Sequence, residues 1–159
     1  MISVSTRHHS IALLLVFFFM QQHLAYSQPK STPIPENRET ADQGTLKIYP
    51  VAHATVVLNW NETVIYIDPV GGADAFTAYP APDLILITDI HGDHFSLETL
   101  QVLDTQKAKI IIPNAVAEKL PAAFTPQIDV LDNGDTKTRY GISVTAIPMY
   151  NLRPEAKAF

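Results

Sequence analysis

The run Leu84-Ile85-Leu86-Ile87 is apolar at every position, and Asp89, His91, Asp93 and His94 follow it directly. A strand without polar alternation must be covered on both faces, which requires layers packed above and below a sheet. Four side chains able to ligate a metal, set just beyond such a strand, are delivered from a rigid support. In an extended segment residues 89, 91 and 93 point to one side and 94 to the other. Gly92 can take backbone angles closed to other residues, so the chain can fold the cluster around a site. Adjacent Asp93 and His94 suit two neighbouring ions, or one ion with an orienting partner. The plain alternative is a polar loop with surface histidines leading into a helix. The density of ligand-type residues at a strand end favours metal binding.

A chain of 159 residues with 47% hydrophobic and 17% charged residues suits one domain rather than two independent cores. Its N-terminus is a separate matter. Arg7, His8 and His9 precede an apolar run from Ile11 to Met20, and Ala25-Tyr26-Ser27 follows. A basic start, a short apolar run and a small-x-small site describe a secretory signal peptide over 1–27, cut near Ser27. The apolar run is too short for a stable membrane anchor, which needs about 20 residues. The expected location is therefore periplasmic or secreted. The chain has no cysteine, so neither disulfides nor thiolate ligands are available. Without residues 1–27 the chain holds 10 basic against 16 acidic residues, a net charge of −6. Such a balance disfavours nucleic acid as a partner and leaves a small molecule as the expected substrate. Oligomeric state leaves no trace in the sequence.

Residues 28–44, with Pro29, Pro33 and Pro35, read as a disordered linker, and a folded part spans 45–159. Leu46 to Tyr49 and Ala54 to Trp60 read as strands. Asn59-Trp60-Asn61-Glu62 reads as a turn, and Thr63 to Ile67 as the returning strand of a hairpin. Asp68-Pro69 ends that strand. Asp83 to Thr88 is a covered strand, and Ser96 caps a helix from Leu97 to about Asp104. Lys109 to Ile112 is a strand, Asn114 caps a helix to Leu120, and Ile128 to Leu131 and Ile142 to Ile147 are further strands. This order predicts a layered α/β fold with a mixed sheet, the cluster at 89–94 lying beyond a strand's carboxyl end.

Histidine and carboxylate ligands make Zn²⁺ the default ion, as one or two ions, with Mn²⁺ or Fe²⁺ as alternatives. A metal with an open position supplies hydroxide near neutral pH. Asp93 can bind the metal or orient the attacking water, a catalytic role.

Asp89-x-His91-x-Asp93-His94, after an apolar strand and before a short helix, resembles the His-x-His-x-Asp-His signature of the metallo-β-lactamase superfamily. His53-Ala54-Thr55, the hairpin and Ile67-Asp68-Pro69 look like the opening of its L-ascorbate-6-phosphate lactonase-like branch. The likeness covers roughly residues 45–150. It implies an αββα layered sandwich with helices on the outer face, present here as its N-terminal half. It also implies His91 on a first metal and Asp93 and His94 on a second. Asp89 stands where the family has a histidine; as a ligand it adds negative charge and shifts preference toward harder metals. His53 and Asp68 are implied near the site, behind the ligands or at the substrate. Their plain readings are a hydrogen-bonded structural histidine and a side chain bonding its own turn.

No histidine follows His94, whereas the resemblance implies further ligands from later segments. The expectation is the N-terminal portion of a longer hydrolase, acting on an ester, lactone or phosphodiester through a metal-activated water. The competing expectation is an exported metal-binding or interaction protein without catalytic activity.

Overall fold

A computed structural model describes residues 44–149 in full and the backbone of 37–41. The expected signal peptide, 1–27, lies outside the described residues, as do 150–159. Among the described residues no helix is long and apolar enough to cross a membrane.

Seven strands form one sheet in chain order: β1 (Asn37–Ala41), β2 (Gly44–Ala52), β3 (Thr55–Trp60), β4 (Thr63–Ile67), β5 (Leu84–Leu86), β6 (Lys109–Ile112) and β7 (Ile128–Val130). The first four pair antiparallel, and β4 to β7 pair parallel. β1 falls within the segment read as a disordered linker. It pairs along its length with β2, from Asn37 opposite Ile48 to Ala41 opposite Gly44. Backbone pairing supplies there what an apolar pattern does not announce.

The β3–β4 hairpin is tighter than its expected four-residue turn, because Asn59 pairs with Val64 and Trp60 with Thr63. Only Asn61 and Glu62 remain to reverse the chain, at φ 47° and 68°. Positive φ at both positions matches the twist of the flanking strands in a two-residue turn. Gly44 packs against this turn at φ +133°, where a Cβ would collide with Asn61 Oδ1.

The parallel strands require crossovers, and each carries a short helical segment. A 3₁₀ turn (Ala73–Phe76) precedes β5 and α1 (Leu97–Val102) precedes β6. α2 (Asn114–Ala117) and a 3₁₀ segment (Ala122–Gln127) precede β7. Ser96 Oγ accepts the Thr99 N–H at 3.1 Å and caps α1 as expected. Asn114 does not cap α2. It is the first helical residue after Pro113, and its side-chain amide donates to Glu118 at 2.7 Å.

Alternation along the central strands explains the unbroken apolar run. Tyr66, Ile85, Ile110 and Ile112 face the helical layer and pack with Phe76, Leu100, Val116 and Phe124. Ile65, Leu84 and Ile111 face the opposite way, with Leu131, onto Ile142, Val144 and Ala146. The second cover is a two-stranded sheet, β8 (Thr136–Arg139) and β9 (Ile142–Thr145). β8 has no apolar residue and was not expected. Its Arg139 donates to both oxygens of Asp129 at 2.8 and 2.7 Å, and Lys137 lies 3.2 Å from the same carboxylate. The molecule is thus layered helix, mixed sheet, second sheet, consistent with a partial αββα sandwich.

A candidate metal centre at the end of β5

Pairing sets where the site begins. Asp68 follows β4, and its N–H still donates to Leu86 O at 2.8 Å, so the ends of β4 and β5 lie side by side. Asp68 has φ 46°, a left-handed conformation that Asp tolerates better than most residues. Buried Thr55, at the start of β3, holds this corner. Its hydroxyl donates to Asp68 O at 2.7 Å and accepts the Val70 N–H at 3.3 Å.

The Asp68 side chain, 4% exposed, does not bond its own turn. Thr88 donates to it twice, from its N–H to Oδ1 and from its hydroxyl to Oδ2, both at 2.7 Å. His94 Nδ1 donates to the same Oδ2 at 2.8 Å. A carboxylate bonded to Nδ1 leaves Nε2 as the lone-pair nitrogen, the arrangement by which proteins orient imidazole ligands. His94 Nε2 lies 3.6 Å from Asp93 Oδ2, and the Asp93 side chain is 59% exposed.

Beyond Thr88 the chain does not stay extended. His94 N and Phe95 N both donate to His91 O, at 2.9 and 2.8 Å, so residues 91–95 form a turn. Strand-like alternation of 89, 91, 93 and 94 is therefore replaced by two pairs. Gly92 has no positive φ, and the turn does not use its special freedom.

The second pair is Asp89 with His91. Asp89 is 5% exposed; its Oδ1 accepts the Ile90 N–H at 2.6 Å and its Oδ2 accepts from His91 Nδ1 at 2.8 Å. Burial acts to raise the Asp89 pKa, but the His91 bond, the Ile90 amide and the nearby imidazoles outweigh it, and the carboxyl titrates below its usual range. The hydrogen bond and charge of Asp89 raise the pKa of His91.

The four expected ligands are thus not gathered around one point. Among the described residues no three His, Asp or Glu side chains group as a metal site. Asp89 is engaged as a partner of His91, while both imidazoles have Nδ1 held by a buried carboxylate. His53 is exposed at the β2–β3 turn, with φ 49°. The donor types suit a divalent cation in part: imidazole and carboxylate are usual ligands, and further donors are needed to close a coordination sphere. Thr55 and Thr88 were not singled out from the sequence. Threonine is an ordinary strand residue, and only the contact with Asp68 reveals its role.

A cavity of about 380 Å³ opens beside Asp89, between the ends of β5 and β6 and the second sheet. Leu86, Ile111, Leu131, Val144 and Met149 supply its apolar wall and Asp89 and Asp132 its charges, and among the described residues no Lys, Arg or His lines it.

Comparison with solved structures finds the same fold elsewhere. A protein of Parabacteroides distasonis, provisionally assigned as a metal-dependent hydrolase, matches with a TM-score of 0.66 and 28% identity, over 77% of this chain and 54% of its own. CmlA, a diiron β-hydroxylase from Streptomyces venezuelae, matches with a TM-score of 0.55 and 25% identity, over 80% of this chain and 27% of its own. The chain therefore spans about half of the first of these proteins and about a quarter of the second. No curated protein sequence matches significantly. The family model for the beta-lactamase superfamily domain matches residues 47–159, from the second strand through the whole candidate site, and the chain belongs to that superfamily.

Proposed function

We propose that this chain carries the first ligand segment of an exported metal-dependent hydrolase. His91 binds one ion and Asp93 with His94 a second, Asp68 and Asp89 orient the two imidazoles, and Asp93 also directs the attacking water. The observation that carries the reading is the paired Nδ1 engagement: a buried carboxylate holds the Nδ1 of each of two imidazoles at one strand end. A bound divalent ion lowers the pKa of its water toward about 7 and polarises the substrate oxygen. Zn²⁺ is the expected ion. Mn²⁺ or Fe²⁺ fits a carboxylate-rich set, and one structural neighbour is a diiron protein.

For the substrate, a small uncharged ester or lactone suits the site better than a phosphodiester. Among the described residues, the cavity beside Asp89 is lined by apolar walls and two carboxylates and by no cation that would hold a phosphate. A lactonase-like activity agrees with the sequence resemblance around His53 and Asp68, although that cavity argues against a phosphorylated lactone.

Calorimetric titration of Zn²⁺ into the chain tests the metal reading. Wild type is expected to bind, and His91→Ala and His94→Ala to weaken binding at least tenfold. Equal affinity in all three proteins rejects it. A second reading, a metal-binding or interaction protein without catalysis, draws on the small number of donors grouped among the described residues. Hydrolysis of a neutral chromogenic ester by the zinc-loaded chain, lost in Asp93→Asn, counts against that second reading.

A further inference from the structure

Thr88 stands at the junction of the strand and the ligand cluster, and its hydroxyl has one proton to give. That proton goes to Asp68 Oδ2 at 2.7 Å, since a carboxylate only accepts. The hydroxyl oxygen lies 3.0 Å from His94 Nδ1 and, its proton committed, can act toward the ring only as an acceptor. His94 Nδ1 therefore faces two acceptors, Asp68 Oδ2 and Thr88 Oγ1, and a neutral ring satisfies both only with its proton on Nδ1. Thr88 also grips Asp68 by both oxygens, through its N–H and its hydroxyl, which fixes the carboxylate plane against the imidazole.

We propose that Thr88 is a positioning residue whose hydroxyl locks His94 in the Nδ1–H form and so presents its Nε2 lone pair beside Asp93. This rests on the reading of His94 as a metal donor, but the locked form is a property of the metal-free protein. Without the hydroxyl, the Thr88 N–H still holds Asp68 Oδ1, but Oδ2 is held only by the ring itself; the Thr88 hydroxyl fixes Oδ2 and supplies the second acceptor at Nδ1.

The test uses ¹⁵N–¹H correlation spectra of the histidine rings in the metal-free chain, at a pH where the ring is neutral, together with Zn²⁺ titration. Wild type and Thr88→Ser are expected to show His94 with Nδ1 protonated. Thr88→Val, which keeps the shape but loses the hydroxyl, is expected to show a mixture of both forms. Its zinc affinity should fall about tenfold, the lower end of the usual effect of losing a partner behind a ligand. Backbone amide spectra of β4 to β6 report whether Thr88→Val keeps the fold. A wild-type His94 protonated on Nε2 overturns the proposal without any variant. So does a Thr88→Val protein with unchanged ring spectra and zinc affinity, or a Thr88→Ser protein as impaired as the valine. If wild type binds no zinc while the ring still shifts form in Thr88→Val, the locking role stands and the metal reading fails.

Discussion

Replacing Asp68 by Asn changes one atom's chemistry at the centre of the site, and its consequences can be worked through bond by bond. Asn tolerates the φ of 46° at this corner, so the backbone has no reason to move. The side-chain oxygen stays on the Thr88 N–H, because the reverse flip sets an amide donor against that N–H at 2.7 Å. The new NH₂ then occupies the Oδ2 position, opposite the Thr88 hydroxyl and His94 Nδ1. The hydroxyl can rotate and accept. His94 must also accept there, which moves its proton to Nε2. Bonds to a charged group contribute about 1.5–3 kcal/mol and neutral ones about 0.5–1.5. Three bonds change class, and the expected loss of stability is about 3 kcal/mol, survivable for a domain of typical stability, about 5–15 kcal/mol. The zinc effect should be larger in proportion, since Nε2 no longer offers a lone pair: at least tenfold weaker binding, in the range seen when a ligand's orienting partner is lost. Urea denaturation measures the first quantity and competition with a chromophoric chelator the second. An Asp68→Asn protein destabilised as expected but binding zinc within twofold of wild type refutes the orienting role and leaves Asp68 a structural corner.

Four other outcomes follow from the same geometry. Thr55→Val removes the hydroxyl that joins Asp68 O to the Val70 N–H, and should cost about 1–3 kcal/mol in urea denaturation with no change in core packing. Glu62→Gly relieves a left-handed residue in the two-residue turn and should raise stability by about 0.5–1 kcal/mol, read as a higher urea midpoint. Gly92→Ala should change stability by less than about 0.5 kcal/mol, because its φ is not positive and a Cβ there meets nothing within 4 Å. The Asp89–His91 pair makes stability pH-dependent in two directions. A raised His91 pKa adds stability present below its usual value of 6.5 and lost as pH rises through the folded value; a lowered Asp89 pKa adds stability present above 3.8 and lost as pH falls through the folded value. The melting temperature of the metal-free chain should therefore pass through a maximum between those values, shallow because His91 is exposed, and Asp89→Asn should flatten it.

The strands that carry the site were legible because burial on both faces leaves a pattern no surface segment imitates. Leu84 to Ile87 and Lys109 to Ile112 could hardly be anything but central strands, and Ser96 marked the start of α1 by capping chemistry alone. Strands held by polar contacts left no such mark. β8 reads Thr-Lys-Thr-Arg, and what fixes it is the Arg139 and Lys137 contact with Asp129 on β7. The cluster was visible as a set of residue types but not as a shape. Alternation along an extended chain governs only while a neighbouring strand is present to pair with, and beyond Thr88 the backbone turns on the His91 carbonyl.

That turn decides what Asp89 can do. Had the chain continued as a strand, residues 89 and 91 would have faced the same way as two ligands of one ion. In the turn, Asp89 stays buried at the strand end while the His91 side chain stands 56% exposed, and the contact between them runs through Nδ1. The result repeats, two residues apart in chain, the relation that Asp68 holds to His94 from a different strand. A buried carboxylate behind each imidazole fixes which nitrogen faces outward. In the proposed site, the departure at position 89 from the family's histidine exchanges a direct donor for a second orienting carboxylate. An Asp89→His chain should bind zinc through one more imidazole, yet lose the bond that holds His91. If its affinity nonetheless rises, Asp89 had been acting as a weak ligand; if it falls, orientation of His91 mattered more than the number of donors.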